Sequence, residues 1–157
     1  MATQPIPEGY STISPYLAVD DAAEAIAYYK KAFGAEETMR MHGPDGKIGH
    51  AELKIGDSHV MLSDPFPQAT TKSPKELGGT TGTIFMYVED VDAVVQQAVD
   101  AGATVTMEVD NMFWGDRFGS ITDPFGHSWS IATHVEDVPP EEMEERSKAA
   151  MAAMSAS

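Results

Sequence analysis

The sequence predicts an α+β fold made of two similar βαβββ modules that meet at a cleft, followed by a C-terminal helix. The first observation is an internal repeat. Strand-like segments around Val19 and Val88 are each followed by a helix-like stretch that ends at a glycine, Gly34 or Gly102. Later landmarks keep a spacing of roughly 70 residues, which is too long for a solenoid repeat and indicates a domain of two similar halves. The landmark pairs are Gly49 with Gly119, Gly56 with Gly126, and Ser58 with Ser128.

The first module is predicted over residues 10–64. Residues 11–19 alternate and carry β-branched and aromatic side chains, which is typical of a strand. Asp20 or Asp21 can cap a helix over residues 22–33, and Gly34 can end that helix in a left-handed conformation. Three further strands are predicted over residues 35–42, 47–55 and 58–63, separated by turn sequences.

The second module is predicted over residues 80–134, after a Pro- and Gly-rich linker at 65–79. Its first strand is expected at 80–88 and its helix at 90–101. Three further strands are expected at 103–109, 114–122 and 128–133. Residues 135–157 form an acidic tail, in which Pro139 and Pro140 stop the sheet and a helix follows over 141–154. With 157 residues, the chain is expected to form a single domain.

Composition and net charge argue against several classes of function. The net charge of −15 opposes binding to nucleic acid or to an anionic membrane. No apolar run is long enough for a transmembrane helix, and the N-terminal residues lack the pattern of a signal peptide. The absence of cysteine excludes disulfides and thiolate chemistry, and fits a cytoplasmic protein.

Several segments of the chain resemble the vicinal oxygen chelate superfamily, which includes glyoxalases, bleomycin-resistance proteins and extradiol dioxygenases, and in particular its PhnB-like branch. The segments that carry the resemblance are 7–10, 27–35, 50–57, 87–92, 113–117 and 123–129. The resemblance implies that each module curls its strands into half a barrel. It also implies metal ligands on the first and last strands of each module, and a homodimer that completes the cavities.

The metal positions implied by the resemblance do not carry metal-binding side chains. They fall on Ser14, Thr83, Ser130 and Val60, or on Met61 in place of Val60 if the register is shifted by one residue. Neutral hydroxyls and hydrocarbon are poor ligands for zinc, nickel, iron or manganese. We therefore expect no metal and no other cofactor. A displaced metal site is the fallback, and its residues are His50, Glu52 and His59.

The same positions predict a small-molecule site instead. Alternation along the strands places Tyr16 beside Ser14, and Phe85 and Tyr87 beside Thr83. Phe113 and Trp114 belong to an aromatic stretch whose rings could stack on a flat or cationic ligand. The full predicted ligand-binding set is Ser14, Tyr16, Val60, Thr83, Phe85, Tyr87, Phe113, Trp114 and Ser130.

These residues favour a metal-independent binding protein, which could sequester an aromatic or cationic antibiotic-like compound and so confer resistance. Three alternatives remain open. The narrow barrels could be filled by their own side chains, with Trp114 in the core and Asp116 and Arg117 in ion pairs. The protein could be a lyase, isomerase or dioxygenase that uses a displaced metal, or His50 with Glu52 as a general base. The acidic tail could bind another protein.

Overall fold

The computed structural model describes residues 2–157 and contains two four-stranded mixed sheets and four helices. The predicted α+β class is confirmed. The first half contains β1 (Tyr16–Ala18), α1 (Ala22–Phe33), β2 (Glu36–His42), β3 (Ile48–Ile55) and β4 (Ser58–Ser63). After α2 (Pro74–Leu77), the second half contains β5 (Thr83–Tyr87), α3 (Val91–Ala101), β6 (Thr104–Asn111), β7 (Asp116–Thr122) and β8 (Ser128–His134). The last helix is α4 (Pro140–Ser155).

The two sheets have the same topology. Their strand orders are β1-β4-β3-β2 and β5-β8-β7-β6. In each sheet the first and last strands of the module pair in parallel and the other pairs are antiparallel. As a result β1 and β5 are both edge strands, and they occupy equivalent places in the repeat.

The helix boundaries follow from local capping. The Asp21 carboxylate accepts a hydrogen bond from the Glu24 backbone N–H, and Gly34 closes α1 in the left-handed conformation with φ 65°. Asp90 caps α3 in the same way through the Ala93 N–H. These caps satisfy backbone groups that the first turn of a helix leaves free.

Two segments differ from the sequence-based expectation. The first strand is limited to Tyr16–Ala18, and the residues before Pro15 form an arm instead of a longer strand. Proline has no N–H with which to continue a ladder, although its carbonyl accepts from the Met61 N–H. The expected linker contains α2, where Ser73 supplies the N-cap and Pro74 occupies the first turn.

Both modules contribute to one hydrophobic core. Helices α1 and α3 pack against each other and against one side of the sheets. Leu53 and Leu62 in the first sheet and Ile121 and Ile131 in the second are completely buried there. Since side chains alternate along a strand, the opposite side of each sheet is left outside this core.

We name these outer sides the first face and the second face. The first face carries Tyr16, His50, Glu52, His59 and Met61, and the second carries Thr83, Phe85, Tyr87, Phe118, Ser120 and Ser130. Within residues 2–157, no helix has the length and apolar composition needed to cross a membrane.

Candidate functional site

Strand pairing fixes which side chains occupy equivalent positions on the two faces. Phe85 pairs with Ser130 on the second face, and Tyr16 pairs with Met61 on the first. The fourth position therefore falls on Met61, one residue after Val60. Val60 lies on the core side, is 4% exposed and pairs with Leu53. Of the two predicted alternatives, strand pairing selects Met61, and the shift of one residue matters because it places the side chain on the other face of the sheet.

The donor set at the four equivalent positions does not fit the superfamily's divalent metal. Ser14, Thr83 and Ser130 offer neutral hydroxyls, and the Met61 thioether is a soft ligand suited to copper(I) rather than to zinc, nickel or iron. The Thr83 and Ser130 hydroxyls lie 3.1 Å apart and hydrogen-bond to each other.

The fallback metal set is not assembled either. In the described part of the chain, no three His, Cys, Asp or Glu side chains are grouped so that they could hold an ion. His50 Nε2 lies 2.9 Å from a Glu52 oxygen, so these two groups satisfy each other. The His59 ring is instead stacked under Tyr10. Among the described residues, the fallback set of His50, Glu52 and His59 is therefore not arranged as a metal site.

The second face is an aromatic surface. The Phe85 ring stacks on Phe118 with centroids 5.7 Å apart and lies 5.1 Å from Tyr87. Trp114 meets Phe118 edge to face at 5.7 Å, and Phe113 meets Trp114 edge to face at 5.1 Å. Phe85 and Tyr87 are 47% and 64% exposed. Five rings therefore form one continuous group whose outer members contact solvent.

A buried carboxylate anchors this aromatic group. Asp116 is 3% exposed and accepts hydrogen bonds from the Tyr87 hydroxyl at 2.9 Å and the Trp114 indole N–H at 3.0 Å. Its other oxygen lies 2.8 Å from His134 Nδ1. Burial raises the pKa of Asp116, but the hydrogen bonds from His134, Tyr87 and Trp114 outweigh that effect and lower it overall. Asp116 thus fixes the orientation of two rings of the second face.

The ion pairs near Trp114 agree with the simple alternative for this stretch, whereas the place of Trp114 does not. Arg117 pairs with Asp92 on α3, with a nitrogen–oxygen distance of 2.6 Å. Asp116 pairs with His134, whose Nδ1 lies 2.8 Å from an Asp116 oxygen. Trp114 is half-buried at the edge of the aromatic group and does not belong to the main core.

The first face carries a chain of polar side chains in place of an aromatic group. The Tyr16 hydroxyl lies 2.9 Å from His50 Nδ1, and His50 Nε2 lies 2.9 Å from Glu52. The second Glu52 oxygen accepts from the Tyr10 hydroxyl. Tyr10 comes from the N-terminal arm, and its ring stacks on His59 with centroids 3.9 Å apart and planes 13° apart.

Two cavities adjoin these surfaces. The larger has a volume of ≈ 870 Å³ and lies between the β5 edge, including Phe85 and Tyr87, and the residues before β1, including Ile13. The smaller has ≈ 640 Å³ and lies between the arm and the first face, where Tyr10 and Glu52 line it. Both volumes are within the range of small-molecule sites, roughly 300–1,000 Å³.

The structure distributes the predicted ligand-binding residues over two surfaces. Thr83, Phe85, Tyr87 and Ser130 meet on the second face with Phe113 and Trp114 at its margin. Ser14 lines the smaller cavity and Tyr16 lies on the first face, while Val60 lines the larger cavity from the core side. Three residues were missed by sequence reasoning: Tyr10, Phe118 and Asp116. Alternation from Ser120, which pairs with Ser130, could have identified Phe118 and Asp116.

Comparison with known proteins agrees with this geometry. A family model described as Glyoxalase/Bleomycin resistance protein/Dioxygenase superfamily matches residues 11–131. The chain belongs to this superfamily. The predicted family is thus confirmed. Over 135 residues the chain is 49% identical to an uncharacterized protein of Mycobacterium tuberculosis, and the match covers 84% of this chain and 79% of that protein.

Solved structures of other proteins share the fold. A gene product of Arabidopsis thaliana gives a TM-score of 0.64 at 30% identity, covering 78% of this chain and 98% of that chain. The PhnB protein from Bacillus cereus gives a TM-score of 0.61 at 18% identity, covering 78% and 99% of the two chains. At that identity the PhnB likeness establishes the fold alone.

Proposed function

We propose that this superfamily member is a small-molecule-binding protein that works without a resident metal ion and takes an aromatic or cationic ligand. The observation that carries the proposal is the second face. It presents five aromatic rings where Thr83 and Ser130 replace metal ligands, and two of the rings are largely exposed. Exposed, contiguous apolar surface of this kind marks a binding site more often than a random surface feature.

The charge of the protein favours a cationic ligand. The net charge is −15, and a field of that sign raises the local concentration of cations and lowers that of anions. Aromatic ring faces attract organic cations through their quadrupole, with a contribution of about 0.5–2 kcal/mol. Sequestration of a basic, antibiotic-like compound is the biological form of this proposal.

A homodimer forms part of the proposal. Each face supplies one wall of a cleft, since the sheet behind it is closed off by the core. A second copy of the chain, placed with its first face opposite the second face, would supply the missing wall. A ligand enclosed between the two walls would cover Phe85 and Tyr87, and the apolar surface removed from water would contribute roughly 25 cal/mol for each Å².

The proposal is tested by isothermal titration calorimetry with a planar cation, acridine orange, and a planar anion, 1-naphthalenesulfonate. We expect the cation to bind and the anion to bind at least tenfold more weakly. The Phe85→Ala variant should lose cation binding, whereas Met151→Ala, which truncates an exposed apolar side chain on α4, should retain it. Sedimentation velocity on the same samples reports the dimer. Failure of acridine orange to bind, or equal binding of the two compounds, would contradict the proposal.

A further inference from the structure

The N-terminal arm, residues 5–14, lies across the first face without joining the sheet. Among the described residues, no backbone hydrogen bond links residues 2–14 to a strand, and pairing with β4 starts at the Pro15 carbonyl. The one backbone bond that orders the arm is internal, from the Tyr10 N–H to the Pro7 carbonyl. The arm is thus held on the face mainly by side chains.

Tyr10 is the side chain that holds it. Its ring stacks flat on His59 at 3.9 Å, and its hydroxyl donates to Glu52. Stacking on one planar group while donating from the ring edge to a carboxylate is the set of contacts that a bound planar molecule would make. Tyr10 therefore occupies the first face in the manner of a ligand.

Glu52 is prepared to accept such a donor. It is 7% exposed, and His50 donates to its other oxygen. The hydrogen bonds from His50 and Tyr10 lower the pKa of Glu52 in spite of its burial, and the hydrogen bond to Glu52 raises the pKa of Tyr10. At neutral pH the carboxylate is therefore charged and the phenol keeps its proton.

The surroundings of Tyr10 contain an unpaired polar group on His59 and a cavity large enough for a small molecule. His59 is 8% exposed and its Nδ1 has no hydrogen-bond partner, the one buried side-chain atom in this condition among the described residues. The cavity of ≈ 640 Å³ beside Tyr10 has apolar walls that include Ile6, Met39 and Met61.

We infer that the first face is a binding site for a planar aromatic compound with an N–H donor at its edge, such as an aromatic amidine, which takes the place of the Tyr10 ring. The ring stacks on His59, the N–H group donates to Glu52, and the arm lifts away. Tyr10 is then an internal competitor that sets the affinity. This inference rests on the proposed small-molecule function. It adds to that function a class of ligand and a residue, Tyr10, that regulates the affinity.

The test is calorimetric titration of the full chain with benzamidine and with benzoate, which has the same ring and the opposite charge. Benzamidine should bind and benzoate should not. If Tyr10 occupies the face in about nine molecules of ten, its removal strengthens apparent binding about tenfold, since apparent affinity scales with the fraction of open sites. Tyr10→Ala should therefore bind benzamidine about tenfold more tightly, and Glu52→Gln should lose binding.

The controls separate this inference from the proposed function. Tyr28→Phe removes a tyrosine hydroxyl that donates to the Ala98 carbonyl in the core, away from both faces, and it should leave benzamidine affinity unchanged, whereas Tyr10→Phe should increase it. Equal binding of benzoate, or equal affinity in Tyr10→Ala, Tyr10→Phe and the unmodified protein, overturns the inference. Loss of acridine orange binding in Phe85→Ala tests the second face independently.

Discussion

The Tyr29 hydroxyl donates a hydrogen bond of 2.6 Å to the Asp123 carboxylate, and this bond connects α1 of the first module to the last turn of the second. Asp123 is 3% exposed, and its carboxylate also accepts from the Trp129 indole N–H at 2.9 Å. The backbone N–H groups of Phe125 and His127 bind the other oxygen. Four donors from two modules thus compensate one buried charge.

Replacing Tyr29 by Phe should lower the free energy of unfolding by about 1–3 kcal/mol, because a buried carboxylate loses one of its donors. The matched control on the same helix is Tyr28→Phe. The Tyr28 hydroxyl makes a longer bond of 3.4 Å to the Ala98 carbonyl, so the effect there should be smaller. Urea unfolding with an unchanged slope measures both. Equal losses in the two variants would argue against the role of Asp123.

Gly115 should tolerate alanine far less well than Gly34. Both have positive φ, 100° and 65°, which costs a residue with a Cβ about 1–2 kcal/mol. A Cβ on Gly115 would in addition meet the Glu136 backbone carbonyl, whereas nothing lies within 4 Å of one on Gly34. The crowding adds about 1–3 kcal/mol. Thermal unfolding should rank Gly115→Ala well below Gly34→Ala, and the reverse order would contradict this packing.

His134 should titrate above its ordinary pKa of 6.5, because hydrogen bonds to Asp137 and then to Asp116 favour its charged form. A raised folded-state pKa means that the stabilising contribution is complete below about 6.5 and is lost as the pH rises through the folded-state pKa. NMR titration of His134 measures this directly. Asp137→Asn should lower the pKa of His134, and Glu144→Gln on α4 should leave it unchanged. A pKa at or below 6.5 in the unmodified protein would disprove the pairing.

Removing residues 140–157 should leave the urea midpoint close to that of the full chain. No residue of α4 is buried within the described structure, and its contacts with the body depend on Arg146, which pairs with Glu136 and donates to the Phe113 carbonyl. Exposed ion pairs contribute little to stability. A large drop in the midpoint on truncation would instead show that α4 is part of the folded body. Truncation also tests whether the tail binds a protein partner.

The helix ends and the order of the strands could be predicted from the sequence, because the patterns that indicate them are local. Asp21 and Gly34 flank α1, and the predicted range of 22–33 matches the helix. The predicted first strand is too long, because the alternation of side chains continues through residues 11–15. The backbone pairing with β4 reaches no further than Pro15. Local pattern carries no information on where a partner strand stops.

The candidate site could be predicted less completely, because several of its contacts depend on tertiary structure. The aromatic residues Phe85 and Tyr87 share a strand, so alternation placed them together. The choice between Val60 and Met61 depends on the parallel pairing of β1 with β4, which no local signal sets. Tyr10 reaches Glu52 across 42 residues from an irregular arm, and its contact arises only from tertiary structure.

The shared core has a consequence for how such a chain could arise. Helix α1 covers its inner surface with α3, and Tyr29 finds its acceptor in the other half. In an isolated first half, the inner surface of α1 would be exposed to solvent and the Tyr29 hydroxyl would lack its acceptor Asp123. A one-module ancestor could have covered that surface by pairing with an identical molecule, and fusion of two such subunits into one polypeptide would leave a duplicated sequence.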